Sequence, residues 1–307
     1  MPEKPAIQEE SSVVKRALPI ATTAPTQDWE FAAWQVALER RHFSCGTIDG
    51  EVGSRSTKAI LNFQKNQRLP LTGILDDATR LRLGKPGEPF AEYIVTSQDM
   101  ALVRETPQTW KAKSKVSYLG YNDGWEMMAE KCHATANFLK KLNSEIEEIE
   151  EGVALLIPNL ESSEPLPKAG RVEIILSERT LLVFDASNRL VACFPCSIAS
   201  QEEQRPMGEL KVIVKVLDPE YTFDPKMFSE AARAEGIKSK LLIPRGPNNP
   251  VGLAWMGLSL PGYGMHGTPD PQHISATGSH GCFRLANWNA LKLYQMVQEG
   301  TSVWVRE

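Results

Sequence analysis

Three regimes of apolar spacing follow one another along the chain. Between Asp28 and Leu83 the apolar positions recur at helical spacing: Phe31, Trp34, Ala37 and Leu38 share one face of a first helix, and Ile60 and Phe63 share a face of a second. Two glycine turns punctuate this region. Gly46-Thr47-Ile48-Asp49-Gly50 precedes the second helix, with Ser54 as its expected N-cap, and Leu71-Thr72-Gly73-Ile74-Leu75-Asp76 precedes a short third helix. Each turn carries a glycine, an aliphatic residue and an acid, so the segment is a weak internal repeat of turn plus helix. A second regime follows the linker Gly84 to Pro89. There Tyr93-Ile94-Val95 predicts a short strand, Trp125 to Lys140 one helix and Ala154 to Asn159 a closing strand. Residues 103–120 read as an insertion, and the acidic run Glu145 to Glu151 as a solvated face.

Glu161 to Lys168, with Ser162, Ser163, Pro165 and Pro167, is a second linker, beyond which the period becomes two. Val172 to Leu176, Leu181 to Phe184 and Leu190 to Phe194 predict a β-meander, Val212 to Leu217 and Thr301 to Val305 add strands, and Trp288 to Gln298 is one amphipathic helix with Asn287 as N-cap and Gly300 as terminator. The pattern therefore predicts a multidomain chain: a flexible leader at 1–27, a small all-α three-helix domain at 28–85, a small α+β domain at 90–161, and a mostly-β, sandwich- or barrel-like domain with one C-terminal helix at 168–307. A length of 307 residues accommodates that division.

Composition narrows the partners. The formal charge is −4, without a Lys/Arg cluster, so the electrostatic footprint of a nucleic-acid binder is missing. No apolar run approaches the roughly 18 to 20 residues of a membrane span. Met1-Pro2-Glu3-Lys4 lacks the apolar stretch of an export signal, and a chain trimmed of its signal would look the same. Five cysteines, at 45, 132, 193, 196 and 282, are an odd number without the spacing of a disulfide framework. Cys193 and Cys196 form a Cys-x-x-Cys, but three residues along a strand span about 10 Å and point to opposite faces, which excludes a disulfide without a bulge.

The chemistry gathers in one stretch. His266, His273, His280, Cys282 and Arg284 fall within 19 residues, among Gly267 and Gly281 and just after Gly264. A neighbouring imidazole or cation lowers a thiol pKa from about 8.5 toward neutrality, and glycines beside a nucleophile let main-chain N–H groups approach an oxyanion. The stretch suits acyl transfer through a thioester. A zinc reading on the same residues lacks the two-to-four-residue gap of zinc hairpins and a completing pair of ligands.

Three resemblances attach to these residues. Gly46 to Gly50, Thr57, Phe63-Gln64 and Gly73 to Asp76 resemble the peptidoglycan-binding helical domain. The strand, helix and strand of 90–161, with Asn143 near the helix end and Gly152 before the last strand, resemble a degenerate LysM module. His266-Gly267-Thr268 followed by Ser279-His280-Gly281-Cys282-x-Arg284 resembles the L,D-transpeptidases of the YkuD type. That last likeness extends over about 168–306, through Gly246 to Gly252, the Trp255 segment and Leu285 to Ala290.

The resemblance implies that Cys282 attacks the diaminopimelate–D-alanine bond of a tetrapeptide stem, with His266 as base and Gly267 orienting the imidazole through its carbonyl. It further implies an oxyanion hole at Gly281 and Cys282, His280 supporting the acyl site beside Ser279 of the motif, and Arg284 holding a carboxylate or bracing the loop. An acceptor amine would then give a 3-3 cross-link; water would make a carboxypeptidase, and a protein amine a wall attachment. No metal or organic cofactor is implied. Trp255, Tyr263, Asn248 and Asn249 are candidate groove residues, and His273 reads as surface. The partners implied are peptidoglycan stem peptides and glycan strands, and the place is the periplasm or cell wall. A non-catalytic wall-binding protein is the reading from another class.

Overall fold

A computed structural model describes residues 27–84, 87–162, 164–276 and 281–307, so the expected leader lies outside the described residues apart from Gln27. The first module consists of α1 (Gln27–Arg40), α2 (Ser54–Gln67) and α3 (Asp77–Leu83). Its motif residues hold the turns. Gln35 Oε1 accepts from the N–H groups of Asp49 (3.1 Å) and Gly50 (2.9 Å), and buried Gln64 donates to Thr72 and Thr79 while accepting from Gly73 N–H. Ser54 opens α2 but does not cap it: Gly53 is the N-cap, and its N–H donates to Ser56 Oγ instead.

The second module pairs β1 (Phe90–Ile94) with β2 (Ala154–Pro158) in an antiparallel ribbon around α4 (Ser97–Met100), α5 (Trp110–Lys113), α6 (Gly124–Lys131) and α7 (Ala136–Leu142). The single helix expected from Trp125 to Lys140 is two. His133 takes φ 54° between them, and Thr135 caps α7 by accepting from Phe138 N–H. The break is tertiary in origin: Ile48 of the first module donates to His133 O at 2.7 Å and accepts from Thr135 N–H at 3.0 Å, removing those groups from a continuous helix.

The third module contains β3 (Arg171–Ile175), β4 (Thr180–Phe184), β5 (Leu190–Pro195), β6 (Gly208–Leu217), β7 (Tyr221–Phe223), α8 (Ser229–Glu235), β8 (Leu241–Ile243), β9 (Ala254–Leu258), β10 (Gly264–His266), β11 (Phe283–Arg284), α9 (Asn287–Met296) and β12 (Ser302–Arg306). Eight strands form one sheet in the order β11-β10-β9-β6-β12-β3-β4-β5, curled as a half-barrel. Ala290, Leu293 and Met296 of α9 fill its inside together with Val172, Ile174, Met256 and Met265. The remaining pair, β7 and β8, stands apart with α8.

Both faces of β4 are buried, and strand alternation explains how. Leu181 and Val183 enter the half-barrel core, whereas Leu182 and Phe184 join a second core with Trp34, Leu38, Phe43, Ile60 and Phe63 of the first module. The edge strand β5 is covered in the same way, since Ser44 N–H donates to Cys193 O and Cys193 N–H to His42 O. Cys193 and Cys196 accordingly sit in different cores, buried and unbridged. The first module also contributes Ala32, Val36 and Ile48 to the core of the second. Segments that separate the modules in sequence do not separate them in space.

A buried ionic group joins all three. Glu39 of α1 is 2% exposed, and its Oε1 accepts from Lys292 Nζ of α9 at 2.6 Å and faces His133 Nδ1 of the second module at 3.0 Å. Burial pushes the Glu39 carboxyl up, but Lys292 and His133 outweigh it and hold the group well below the usual carboxylate range. Its stabilising contribution is therefore present above the unfolded value near 4.5 and is lost as pH falls below it. Lys292→Met should cost about 3 kcal/mol at neutral pH by urea unfolding, because one partner of a buried pair is left behind. The deficit should shrink in a Glu39→Gln background and as pH falls below 4.5; a deficit indifferent to both would contradict the pairing.

Candidate active site

The registers of four strands lay the chemistry out in two rows on one sheet face. Arg284, His266, Trp255 and Val216 lie side by side across β11, β10, β9 and β6. Two residues earlier on β10 are Gly264, opposite Gly257, which in turn faces Val214; Cys282 ends the loop beside them, just before β11. The glycines leave room for one ring. A Cβ on Gly264 would lie 2.6 Å from the Trp255 indole, and that indole stacks on His266 with centroids 5.4 Å apart.

His266 is buried, and its Nδ1 lies 2.6 Å from Gly267 O. A carbonyl can only accept, so Nδ1 carries the proton and Nε2 keeps a free lone pair. Burial first, and the Arg284 cation second, push the imidazole down to about 4 despite the Gly267 bond, so it is neutral at pH 7. Burial likewise pushes the Cys282 thiol up, with Gly264 N–H and Arg284 opposing by less. The lowered thiol pKa expected from its neighbours is therefore corrected: the resting pair is neutral, and Cys282 Sγ donates to Gly262 O at 3.5 Å. Gly281 has φ 150°, a conformation suited to glycine, and a Cβ there would lie 3.2 Å from the Tyr263 ring.

Residues 169–305 match the family model described as "L,D-transpeptidase catalytic domain", and residues 30–83 match the "Putative peptidoglycan binding domain". The chain carries a YkuD-type L,D-transpeptidase catalytic domain joined to a peptidoglycan-binding domain. Among curated relatives, "Putative L,D-transpeptidase YkuD" of Bacillus licheniformis is 26% identical over 156 residues, covering 51% of this chain and 76% of its own. "Probable L,D-transpeptidase YbiS" of Escherichia coli is 30% identical over 169 residues, covering 52% of this chain and 55% of its own. The two family-model matches flank the second module.

The transpeptidase domain brings His266, Gly267, Gly281, Cys282, Arg284, Trp255 and Tyr263 to one end of its sheet. Ser279 and His280 lie outside the described residues. Asn248 and Asn249, expected in the groove, are corrected to structural positions. Asn248 Nδ2 donates to Gly120 O (2.8 Å) and Glu126 Oε1 (2.7 Å) of the second module, and Asn249 Nδ2 donates to Pro244 O (2.8 Å), leaving both buried. His273 is exposed and meets Asp270, as its surface reading expects. Among the described residues, no three His, Cys, Asp or Glu side chains gather as a metal site.

Two groups near the site escaped the sequence reading. Tyr221, on the separate β7–β8 pair, is pushed up to about 12 by burial and feels both Cys282 and Arg284. Asn287 does not cap α9, whose N-cap is Ala286; its amide turns back beneath Gly267. Among the five cysteines only Cys282 is not fully buried. Iodoacetamide should therefore alkylate Cys282 alone in the native chain, at a rate that climbs through alkaline pH beyond the midpoint near 8.5 of an ordinary thiol. Peptide mass mapping reads both features, and fast neutral-pH labelling would contradict the buried, neutral thiol.

Proposed function

We propose that the transpeptidase domain acts on peptidoglycan by a cysteine thioester, with the first module holding it on the same polymer. The observation that carries this reading is the His266–Gly267 pair beside Cys282: a neutral base with its free Nε2, on the sheet face where the thiol ends the loop. Cys282 Sγ attacks the carbonyl of the diaminopimelate–D-alanine bond of a donor tetrapeptide stem while His266 Nε2 takes the thiol proton, so charge forms during attack and not before it. The imidazolium returns that proton to the departing D-alanine amine. Gly281 and Cys282 N–H groups are assigned to the oxyanion, and the Arg284 cation to a substrate carboxylate or to the thiolate as it forms.

An acceptor side-chain amine then displaces the thiol from the thioester to give a 3-3 cross-link. The site opens beside Trp255, Tyr263 and Val216, an aromatic and aliphatic border suited to an extended stem. The peptidoglycan-binding domain raises the local concentration of such stems, the second module is assigned the LysM-like role of a wall contact, and the working compartment is the periplasm or cell wall. Among the described residues no helix is long and apolar enough to cross a membrane.

Incubation with purified disaccharide-tetrapeptide should release D-alanine and produce dimers, followed by mass spectrometry. Cys282→Ala should abolish both, by at least about a thousandfold, with folding unchanged. Release without dimers would assign a carboxypeptidase. Absence of release, with retained binding to wall sacculi, would leave a wall-binding protein.

A further inference from the structure

We propose that Glu130, a side chain of the second module, is a positioning residue for the base of the transpeptidase site, acting through Asn287 and the Gly267 peptide. The inference rests on the assignment of Cys282 and His266 given above.

The contacts form a continuous line across the seam between modules. Glu130, on α6, is 5% exposed, and Asn287 Nδ2 donates to its two oxygens at 2.9 and 3.2 Å and to Pro247 O at 3.2 Å. The other end of the same amide, Oδ1, accepts from Leu253 N–H at 3.1 Å. Its orientation is thereby fixed, because Glu130 and Pro247 present acceptors and Leu253 a donor. The amide lies in a slot that only glycines permit: a Cβ at Gly252 would stand 2.0 Å from Oδ1, and one at Gly267 2.2 Å. Gly267 is held from the other side, its N–H donating to Ala254 O at 3.1 Å. Its carbonyl is the group that receives His266 Nδ1–H. Each link is one hydrogen bond or van der Waals contact long, so the second module sets the plane of the peptide that aims the imidazole.

The site's own domain does not supply this acceptor. Within the transpeptidase domain, Asn287 Nδ2 has the Pro247 carbonyl, and the carboxyl that completes its set comes from a residue 157 positions earlier. Keeping a carboxyl there has a cost, since burial and neighbouring Glu126 push Glu130 up to about 8 while the Asn287 bond opposes. In its neutral form it still offers oxygens to Nδ2. The titratable groups facing Glu130 are Glu126 on the same helix and Tyr121; Arg284 faces His266 from β11.

The test uses the full chain and a substrate-independent acyl donor, p-nitrophenyl acetate, with acylation of Cys282 followed by intact mass between about pH 3 and 9. Glu130→Met keeps the volume of the side chain and removes the acceptor; Glu130→Gln keeps an acceptor oxygen. In the wild type the acid limb should follow the His266 value of about 4. Glu130→Met should slow acylation at neutral pH about tenfold and move that limb up by about one unit, as a loosened Gly267 admits water to the imidazole. Glu130→Gln should stay within about threefold with the limb in place. A Met variant with the wild-type rate and limb, or Met and Gln variants slowed alike with the limb unmoved, would overturn the proposal alone. A wild type no faster than Cys282→Ala would instead overturn the nucleophile assignment, and the proposal with it.

Discussion

The carbonyl of Gly267 decides what the site can do. By accepting from His266 Nδ1 it fixes the tautomer, and by leaving Nε2 unprotonated it makes a base of a histidine that burial keeps neutral. A carbonyl does this without adding charge, in contrast to a carboxylate in the same place, so the imidazole keeps its depressed pKa. The requirement then spreads outward. The peptide must be held against rotation, which Ala254 O does from one side and the Asn287 amide from the other. Asn287 needs its own acceptors, and they lie partly in another module. Glycines at 252 and 267 follow from that close approach, as the one at 264 follows from the Trp255 ring and the one at 257 first from Val214 and then from that ring.

This arrangement explains why three small modules fold as one body. The first module is near the lower size limit of independently stable domains, and it completes its core on β4 and β5 and lends residues to the second module. In return it covers the sheet edge. Some polar atoms at the junction are then buried with partners, as Glu39 Oε1 is with Lys292 and His133. Such pairs contribute little net stability compared with apolar packing, but they are costly to leave unpaired, which makes them good at specifying one arrangement. The segment around Trp110 extends the seam: its indole packs on Phe223, Tyr221 and Phe228, and Glu235 accepts from Trp110 and Lys111 N–H groups. Tyr221 is thus tied to the second module as well as to the neighbourhood of Cys282.

Much of this was legible in the sequence where a short-range rule governs it. The strands from Val172 to Phe194 obey a period of two, and Cys282, His266, Gly267 and Gly281, to which the proposed chemistry is assigned, lie within 19 residues, so their joint meaning survives without a fold. What the sequence did not disclose depends on contacts made from far away. An Asn ahead of a helix reads as a cap, and nothing local reveals that Asn287 turns instead to Glu130. Trp125 to Lys140 has helical spacing throughout, yet Ile48 pairs with its middle and splits it. Asn248 and Asn249 read as groove residues with amides to offer a substrate, yet Glu126 and Gly120 take the amide of Asn248 and Pro244 that of Asn249. The thiol was misjudged for a related reason: its basic neighbours are visible in the sequence, while the burial that outweighs them is not.

The most direct measurement of the claim that the modules are one body is amide hydrogen exchange of the whole chain, read at the main-chain bonds that cross the seams. The N–H groups of Ser44, Ile48, Leu119 and Thr135 each donate to a carbonyl of another module. A single body predicts that they exchange within about tenfold of the amides of β3 and β4, through the same global opening. Exchange at those four positions orders of magnitude faster than in the sheet would mean that the modules open on their linkers, and would contradict a seam that holds the Gly267 peptide and, in the proposed mechanism, the base.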